Sequence, residues 1–509
     1  MQQKSVDKEF EARAPLELSP DEFRELGYRV IDRIAQFLQS LSTRQVAPNE
    51  SASSLRKLIE LPLPEKGQDA DFLLQHAMDL LQDHSTFNSH PRFWGYITGS
   101  PAPIGALADT IASALNPNLG KWMLSPVATE IERQTVGWIA QMLDYPADCG
   151  GLLVSGGSMA NFIGFLAARR AKLPWPLRVS GMADSDRRRP RVYTSAETHV
   201  WVQKAADLFG LGTDSIRWVS TDEHFRMDPA ALRKCLDQDL SAGDLPFLVI
   251  GTAGSVGTGA VDPLPELADI SREYGLWFHV DGAYGGFAAM VPDASSDLRG
   301  LAEADSIAVD PHKWMYAPLE AGCALVRNAT DLRDTFSYRP QYYHLDADPA
   351  DDAINYFEYG PQNARGFRAL KVWLCLQHAG VEGYRKMIGS NIRLARELYE
   401  LVNKQPTLEA LTCSLSITTF RYLPADLKGR KDTEDYLNQL NSELLTRIQQ
   451  GGKAFISNAI IRGKFALRAC IVNFRTCSAD LRALVELVTS TGAKLDATLR
   501  SPAMKSAGT

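Results

Sequence analysis

The sequence is poor in the features that mark secreted, membrane-spanning and nucleic-acid-binding chains. Seven cysteines are scattered over 509 residues, at Cys149, Cys235, Cys323, Cys375, Cys413, Cys470 and Cys477. No two of them form a C-x-x-C pair, so neither a disulfide framework nor a zinc site is indicated, and they read as free thiols. No uninterrupted apolar stretch reaches the roughly 18 residues that a spanning helix needs, so no membrane association is expected. The opening residues, MQQKSVDKEFEARAP, alternate in charge and lack the apolar core of a signal peptide, which makes a cytoplasmic protein the expectation. Basic residues are in deficit, 54 Lys and Arg against 61 Asp and Glu, a net charge of −7. Without a basic stripe, nucleic acid is not the expected partner. The one dense basic cluster, DRRRPR at 186–191, reads as a solvated loop. There is no internal repeat.

What is present is ordinary globular material, 45% hydrophobic and 23% charged, in a chain long enough for more than one domain. Residues 19–41, SPDEFRELGYRVIDRIAQFLQSL, combine a capping serine, a proline at the first helical position, acids in the first turn and apolar residues at helical spacing. A Pro-rich connection at 60–67 follows, so the apolar face of this helix is expected to pack on a partner subunit. From about 100 to 385, helical patterns alternate with short β-rich runs: GLLVS, RVYTS, IRWVS, FLVIGTAG, LWFHVDGAY, SIAVDPHK and GCALVR. Runs apolar almost throughout, each ending in a small Gly-rich turn, indicate a mostly parallel sheet covered on both faces, a doubly wound α/β domain. After a long helix near 363–403, residues 408–509 read as a small α+β domain.

Ligands in such a sheet sit beyond the carboxyl ends of the strands. Four strand ends are unusual. LLVSGGSMAN at 152–161 puts Gly156, Gly157 and Ser158 where a helix begins, which suits a phosphate. The same turn can be a plain tight turn capped by Ser158, or a serine-hydrolase elbow, since G-x-S-x-A is one residue away from G-x-S-x-G. VYTSAETHVW places His199 at a strand-to-helix junction, either as a helix-terminal hydrogen bonder or as a flat ring for a flat ligand. LWFHVDGAYGG runs a buried strand into Asp281 with open space beside it. SIAVDPHKWMY ends in Lys313, which taken alone is a surface lysine. Together, a phosphate turn, a histidine, a buried aspartate and a lysine are what pyridoxal phosphate requires: the lysine for the Schiff base, the aspartate for the pyridine nitrogen, the turn for the phosphate.

At these residues the chain resembles the group II pyridoxal-phosphate-dependent decarboxylases, the family of aromatic L-amino-acid decarboxylase. The likeness takes in HPRFWGYITGSPAPIGALAD (90–109), SPVATEIE (125–132), SGGSMAN, ETHVWVQKAA, HVDGAYGG, DPHKW, ARGFRALKVW (364–373) and FALRACIVNFRT (465–476). It implies Lys313 as the Schiff-base lysine, Asp281 as the pyridinium partner and His199 as the ring stacked on the cofactor. It further implies Gly157, Ser158 and Asp310 at the phosphate, Ala283 on the ring's other face, Ser255 beside the cofactor, and His312 between lysine and substrate. Tyr342 matches the tyrosine of a mobile loop, and Trp94, Tyr96 and Gly99 fall on the substrate wall.

The family's fold type I architecture and homodimer with shared sites follow as expectations. The resemblance divides the chain into an N-terminal helical swapped segment (1–99), a large cofactor-binding domain (100–385) and a small C-terminal domain (386–509). Four places depart from the aromatic decarboxylases: Val256 stands for a threonine, Asn88 and Gly120 stand for large aromatics, and YITG (96–99) replaces a YFPT-like stretch. The implied activity is decarboxylation of an L-amino acid, with an aromatic substrate expected first. The alternatives are decarboxylation of acidic or aliphatic amino acids, aldehyde-forming oxidative deamination, hydrolysis by Ser158, and a scaffold without chemistry.

Overall fold

The computed structural model describes residues 14–182, 188–338, 353–430 and 432–500. All seven β-rich runs form strands of one sheet: β1 (Gly150–Val154), β2 (Pro190–Ser195), β3 (Ile216–Val219), β4 (Leu245–Thr252), β5 (Trp277–Asp281), β6 (Ser306–Val309) and β7 (Gly322–Val326). Their spatial order is β1-β7-β6-β5-β4-β2-β3. Strands β6, β5, β4, β2 and β3 run parallel, whereas β7 pairs antiparallel with both β6 and β1. The doubly wound α/β expectation therefore holds with one reversed strand. Apolar cores cover both faces, one built around Val249, Phe278, Val280 and Trp314, the other around Leu152, Ile163, Phe165, Trp201 and Leu248.

A second sheet, order β10-β11-β9-β8, is antiparallel throughout: β8 (Leu408–Ser414), β9 (Ile417–Tyr422), β10 (Ser457–Ile461) and β11 (Lys464–Cys470). Helix Ala369–Asn403 joins the two cores. Val372 and Ile388 pack in the first, Leu398 and Val402 in the small sheet's own core, and Gly380, with φ 66°, kinks the helix between them.

At the N-terminal end, helix α1 (Pro20–Ser40) starts as its sequence indicates. The Glu22 N–H donates to Ser19 Oγ at 3.2 Å and the Ser19 N–H to Glu22 Oε2 at 2.7 Å. Yet α1, α2 (Ala52–Ile59) and α3 (Ala70–His84) contain no buried residue, and Phe23, Tyr28, Ile31, Leu61 and Phe72 stand exposed. Ion pairs Arg29–Asp71 and Arg33–Asp79 tie α1 to α3. Among the described residues the apolar faces of these helices meet nothing that buries them. Among the described residues no helix is long and apolar enough to cross a membrane.

One fully buried ion pair anchors the strand that leads into the glycine turn. Glu132, in α5 (Pro126–Met142; α4 is Pro103–Leu115), pairs with Arg365. The Leu153 N–H donates to Glu132 Oε1 at 2.9 Å, and Arg365 Nη2 donates to the Leu153 carbonyl at 2.7 Å. The Arg365 guanidinium also lies 4.5 Å from the centre of the Tyr356 ring. Arg365→Ala strands the Glu132 carboxylate in the core, and is expected to cost roughly 3–5 kcal/mol of stability. A denaturant midpoint close to wild type would contradict this.

Candidate active site

Parallel strands β4, β5 and β6 deliver their carboxyl ends to one cavity of about 490 Å³. The chain leaves β6 through Asp310 and forms one short helical turn, Pro311–Trp314. Lys313 Nζ lies 2.8 Å from Asp310 Oδ2, with Asp310 almost fully buried and Lys313 partly open to the cavity. His312 donates from Nδ1 to the Ala321 carbonyl at 2.7 Å, which leaves Nε2 free, 3.7 Å from Asp310 Oδ2. Burial lowers the His312 pKa, partly opposed by Asp310, so the ring is neutral at pH 7. Both faces of this turn are backbone-tight. A Cβ on Gly99 would fall 2.3 Å from the Lys313 carbonyl oxygen, so Gly99 serves by close approach of the chain rather than as a wall.

Asp281 ends β5 as a buried carboxylate with two donors. The Trp201 indole N–H reaches its Oδ2 at 2.7 Å and the Ala283 N–H its Oδ1 at 3.1 Å. Sequence reasoning missed Trp201. Its signal was a large aromatic two residues after His199, at the first position of helix Trp201–Leu208. His199 stands exposed at the cavity. Its Nδ1 accepts the Trp201 backbone N–H at 3.3 Å, which leaves the ring proton on Nε2. Partial desolvation, opposed by Asp281 and reinforced by Lys313, lowers its pKa below the ordinary 6.5 and keeps it neutral at pH 7.

Helix α6 (Gly157–Lys172) points its first turn at the same cavity, with free N–H groups facing it. A Cβ on Gly157 would fall 2.7 Å from Asp310 Oδ2 and 2.9 Å from the Ala283 Cβ, so only glycine lets this turn close over the ends of β5 and β6. Gly156, not Ser158, is the N-cap of α6, and Ser158 is exposed on the helix's first turn. The elbow reading finds no base beside the nucleophile: no Ser158–histidine hydrogen bond occurs among the described residues, and the Nδ1 atoms of His312 and His199 are held by backbone groups of Ala321 and Trp201 and not by a carboxylate.

Several expected positions need correction. Trp94 does not line the cavity; it is fully buried in the small-sheet core and donates to Thr476 Oγ1 at 3.1 Å. Tyr96 has φ 53°, and its exposed ring packs against Phe455, leaving its neighbour Ile97 at the cavity. Ser255 is buried with its hydroxyl on Thr258 at 2.9 Å, and Gly254 and Val256 form the wall instead. Gly120 admits no aromatic: a Cβ there would fall 2.0 Å from the Asn363 carbonyl oxygen. Asn88 is half-buried and is not part of the wall. Tyr342 lies outside the described residues.

Beneath Asp281 a polar network fixes α6 to the sheet. His279 hydrogen-bonds Ser306 Oγ through Nδ1 and Asn161 Oδ1 through Nε2, both at 2.7 Å, and the Trp277 indole donates to Ser306 at 2.8 Å. Gly164 makes room for the ring, since a Cβ there would sit 2.6 Å from it. Burial drops the His279 pKa from 6.5 to about 4, so the folded state resists a proton that the unfolded chain accepts. Stability is therefore expected to fall as pH drops from 6.5 towards 4, by on the order of 3 kcal/mol. His279→Gln should flatten that fall in urea titrations; an unchanged slope would remove His279 as its source.

The donor set fits pyridoxal phosphate: the Lys313 amine, the buried Asp281 carboxylate, the flat neutral His199 ring and a glycine-floored helix N-terminus border a single cavity. Among the described residues no cluster of three or more His, Cys, Asp or Glu could hold a metal ion.

The chain is similar to known proteins over most of its length. Residues 52–422 match the family described as "Pyridoxal-dependent decarboxylase conserved domain". The chain is 35% identical to the aromatic-L-amino-acid decarboxylase of Bacillus atrophaeus, over 92% of this chain and 94% of that one. It is 28% identical to a phenylacetaldehyde synthase of a Rosa hybrid cultivar, over 89% and 90%. The structure of Oryza sativa TDC with PLP and tryptamine superposes with a TM-score of 0.87 at 28% identity, covering 95% of this chain and 99% of that one.

Proposed function

The chain belongs to the pyridoxal-dependent decarboxylase family and is a pyridoxal-phosphate-dependent amino-acid decarboxylase, and we propose that it converts an aromatic L-amino acid to its amine and CO2. One observation carries the reading: the Lys313 amine, the Asp281 carboxylate and the open first turn of α6 converge on one cavity. Lys313 would hold the cofactor's aldehyde, Asp281 its ring nitrogen, the Gly157–Ser158 turn its phosphate, and His199 and Ala283 its two ring faces. Pyridoxal phosphate, when bound, supplies an aldehyde for the substrate amine and a ring that accepts the electron pair left by the departing carboxylate.

The remaining chemistry belongs to the protein. Asp281 keeps a proton at the ring nitrogen, held in place by its two donors. His199, neutral with its proton on Nε2, offers the substrate carboxylate a donor without a full positive charge that would stabilise it in the ground state. Ile97, Val256 and Leu319 give the cavity apolar walls, which disfavour a charged carboxylate relative to neutral CO2 once water is excluded. The aromatic preference is supported by the Bacillus relative and by these walls.

The unpartnered faces of α1, α2 and α3 support a homodimer in which a second copy covers them and completes the site.

Incubating the holoenzyme with each standard L-amino acid, and measuring amine and CO2, tests the proposal. Release from tryptophan, tyrosine, phenylalanine or DOPA is expected, and turnover of only glutamate or aliphatic substrates would overturn it. Aldehyde formation is the second reading, favoured by the likeness to the Rosa synthase. Ammonia and peroxide in place of amine would identify it.

A further inference from the structure

We propose that Trp201 is the positioning residue that sets the grip of Asp281 on the cofactor's pyridine nitrogen. The inference rests on pyridoxal phosphate seating in this cavity. Trp201 is fully buried, and its indole N–H donates to Asp281 Oδ2 at 2.7 Å, the single side-chain hydrogen bond to that carboxylate among the described residues. The ring cannot swing away. It lies edge-on to His279, with centroids 5.7 Å apart at 80°, and edge-on to Phe165, at 6.5 Å and 86°. His279 is itself locked between Ser306 and Asn161.

The same residue reaches the other side of the cavity. Its backbone N–H holds His199 Nδ1 at 3.3 Å, so one tryptophan orients both the aspartate and the histidine ring. A carboxylate with one oxygen held by the indole and the other by the Ala283 N–H is fixed in rotation, with its remaining lone pairs directed before any ligand arrives. Without the indole donor, Asp281 loses the side-chain hydrogen bond that fixes its orientation.

Trp201→Phe keeps an aromatic ring and deletes the donor. It is compared with wild type for dissociation of pyridoxal phosphate and of the analogue carrying carbon in place of the ring nitrogen, which offers Asp281 nothing to grip. Pyridoxal phosphate is expected to bind roughly tenfold more weakly to the variant, with the analogue unchanged. Equal weakening of both ligands would reduce Trp201 to a packing residue, and no weakening of either would overturn the role outright.

A second measurement needs no substitution. In wild type with ¹⁵N-labelled tryptophan, loading with pyridoxal phosphate and loading with the analogue should give spectra that differ at one indole N–H among the nine tryptophans. Identical indole spectra would refute the proposal. Failure to bind pyridoxal phosphate at all would instead strike the functional reading on which it rests.

Discussion

Lys313→Ala is expected to abolish turnover and to leave a protein that loses its cofactor on dialysis. Among the described residues Lys313 is the one lysine on the cavity, and its Nζ stands 2.8 Å from Asp310 on a turn that the Gly99 backbone holds from behind. Lys371, a buried lysine outside the cavity lining, is committed to Asp109 at 3.1 Å. Wild-type protein treated with borohydride should carry the cofactor covalently on the peptide containing Lys313, and the variant should carry none. A reduced adduct on another lysine would show that the anchoring amine had been misassigned.

Asp281→Ala is the second large effect, and it separates chemistry from folding. The residue ends a buried strand, and its two donors, the Trp201 indole and the Ala283 N–H, are arranged around a negative charge. Removing the carboxylate would leave the ring nitrogen that Asp281 is proposed to face without an anionic partner, so the ring would be a poorer acceptor of the electron pair left behind when CO2 departs. Electrostatic groups of this kind are worth on the order of 10²–10³ in rate, and a loss of that size in kcat is expected. Cofactor affinity should fall as well, while the cofactor-free variant still folds, destabilised by no more than the roughly 1–3 kcal/mol of leaving the buried Trp201 indole N–H without its acceptor. A near-normal kcat would remove Asp281 from the mechanism.

The sequence showed the sheet well because its signals are local. A run such as SIAVDPHK reports burial by its composition and its own end by Pro311 and the polar residues that follow, and all seven such runs are strands. Strand ends beside small residues also brought Lys313, Asp281, His199 and Gly157 into view, and these four border one cavity. The reversal of β7 was not legible, since GCALVR reads the same in either direction and only its hydrogen-bond partners tell.

Side-chain direction was equally hidden. HPRFWGYITG suggested Trp94 and Tyr96 as substrate walls, but the left-handed backbone at Tyr96 turns its ring onto Phe455, and Trp94 is buried in the small-sheet core.

By itself, then, the amino-acid sequence determined the α/β class, the strands and the chemical groups offered at their ends, because burial pattern, turn residues and residue type are properties of short stretches. The tertiary structure alone decided which groups meet. It set the Trp201 indole on Asp281 across 80 residues of chain, the Arg365 guanidinium on Glu132 across 233, and the backbone at Gly99 and Gly120 against distant carbonyl oxygens. Each of those contacts depends on how close packing brings remote segments together, to tolerances of a few tenths of an ångström that no local pattern encodes.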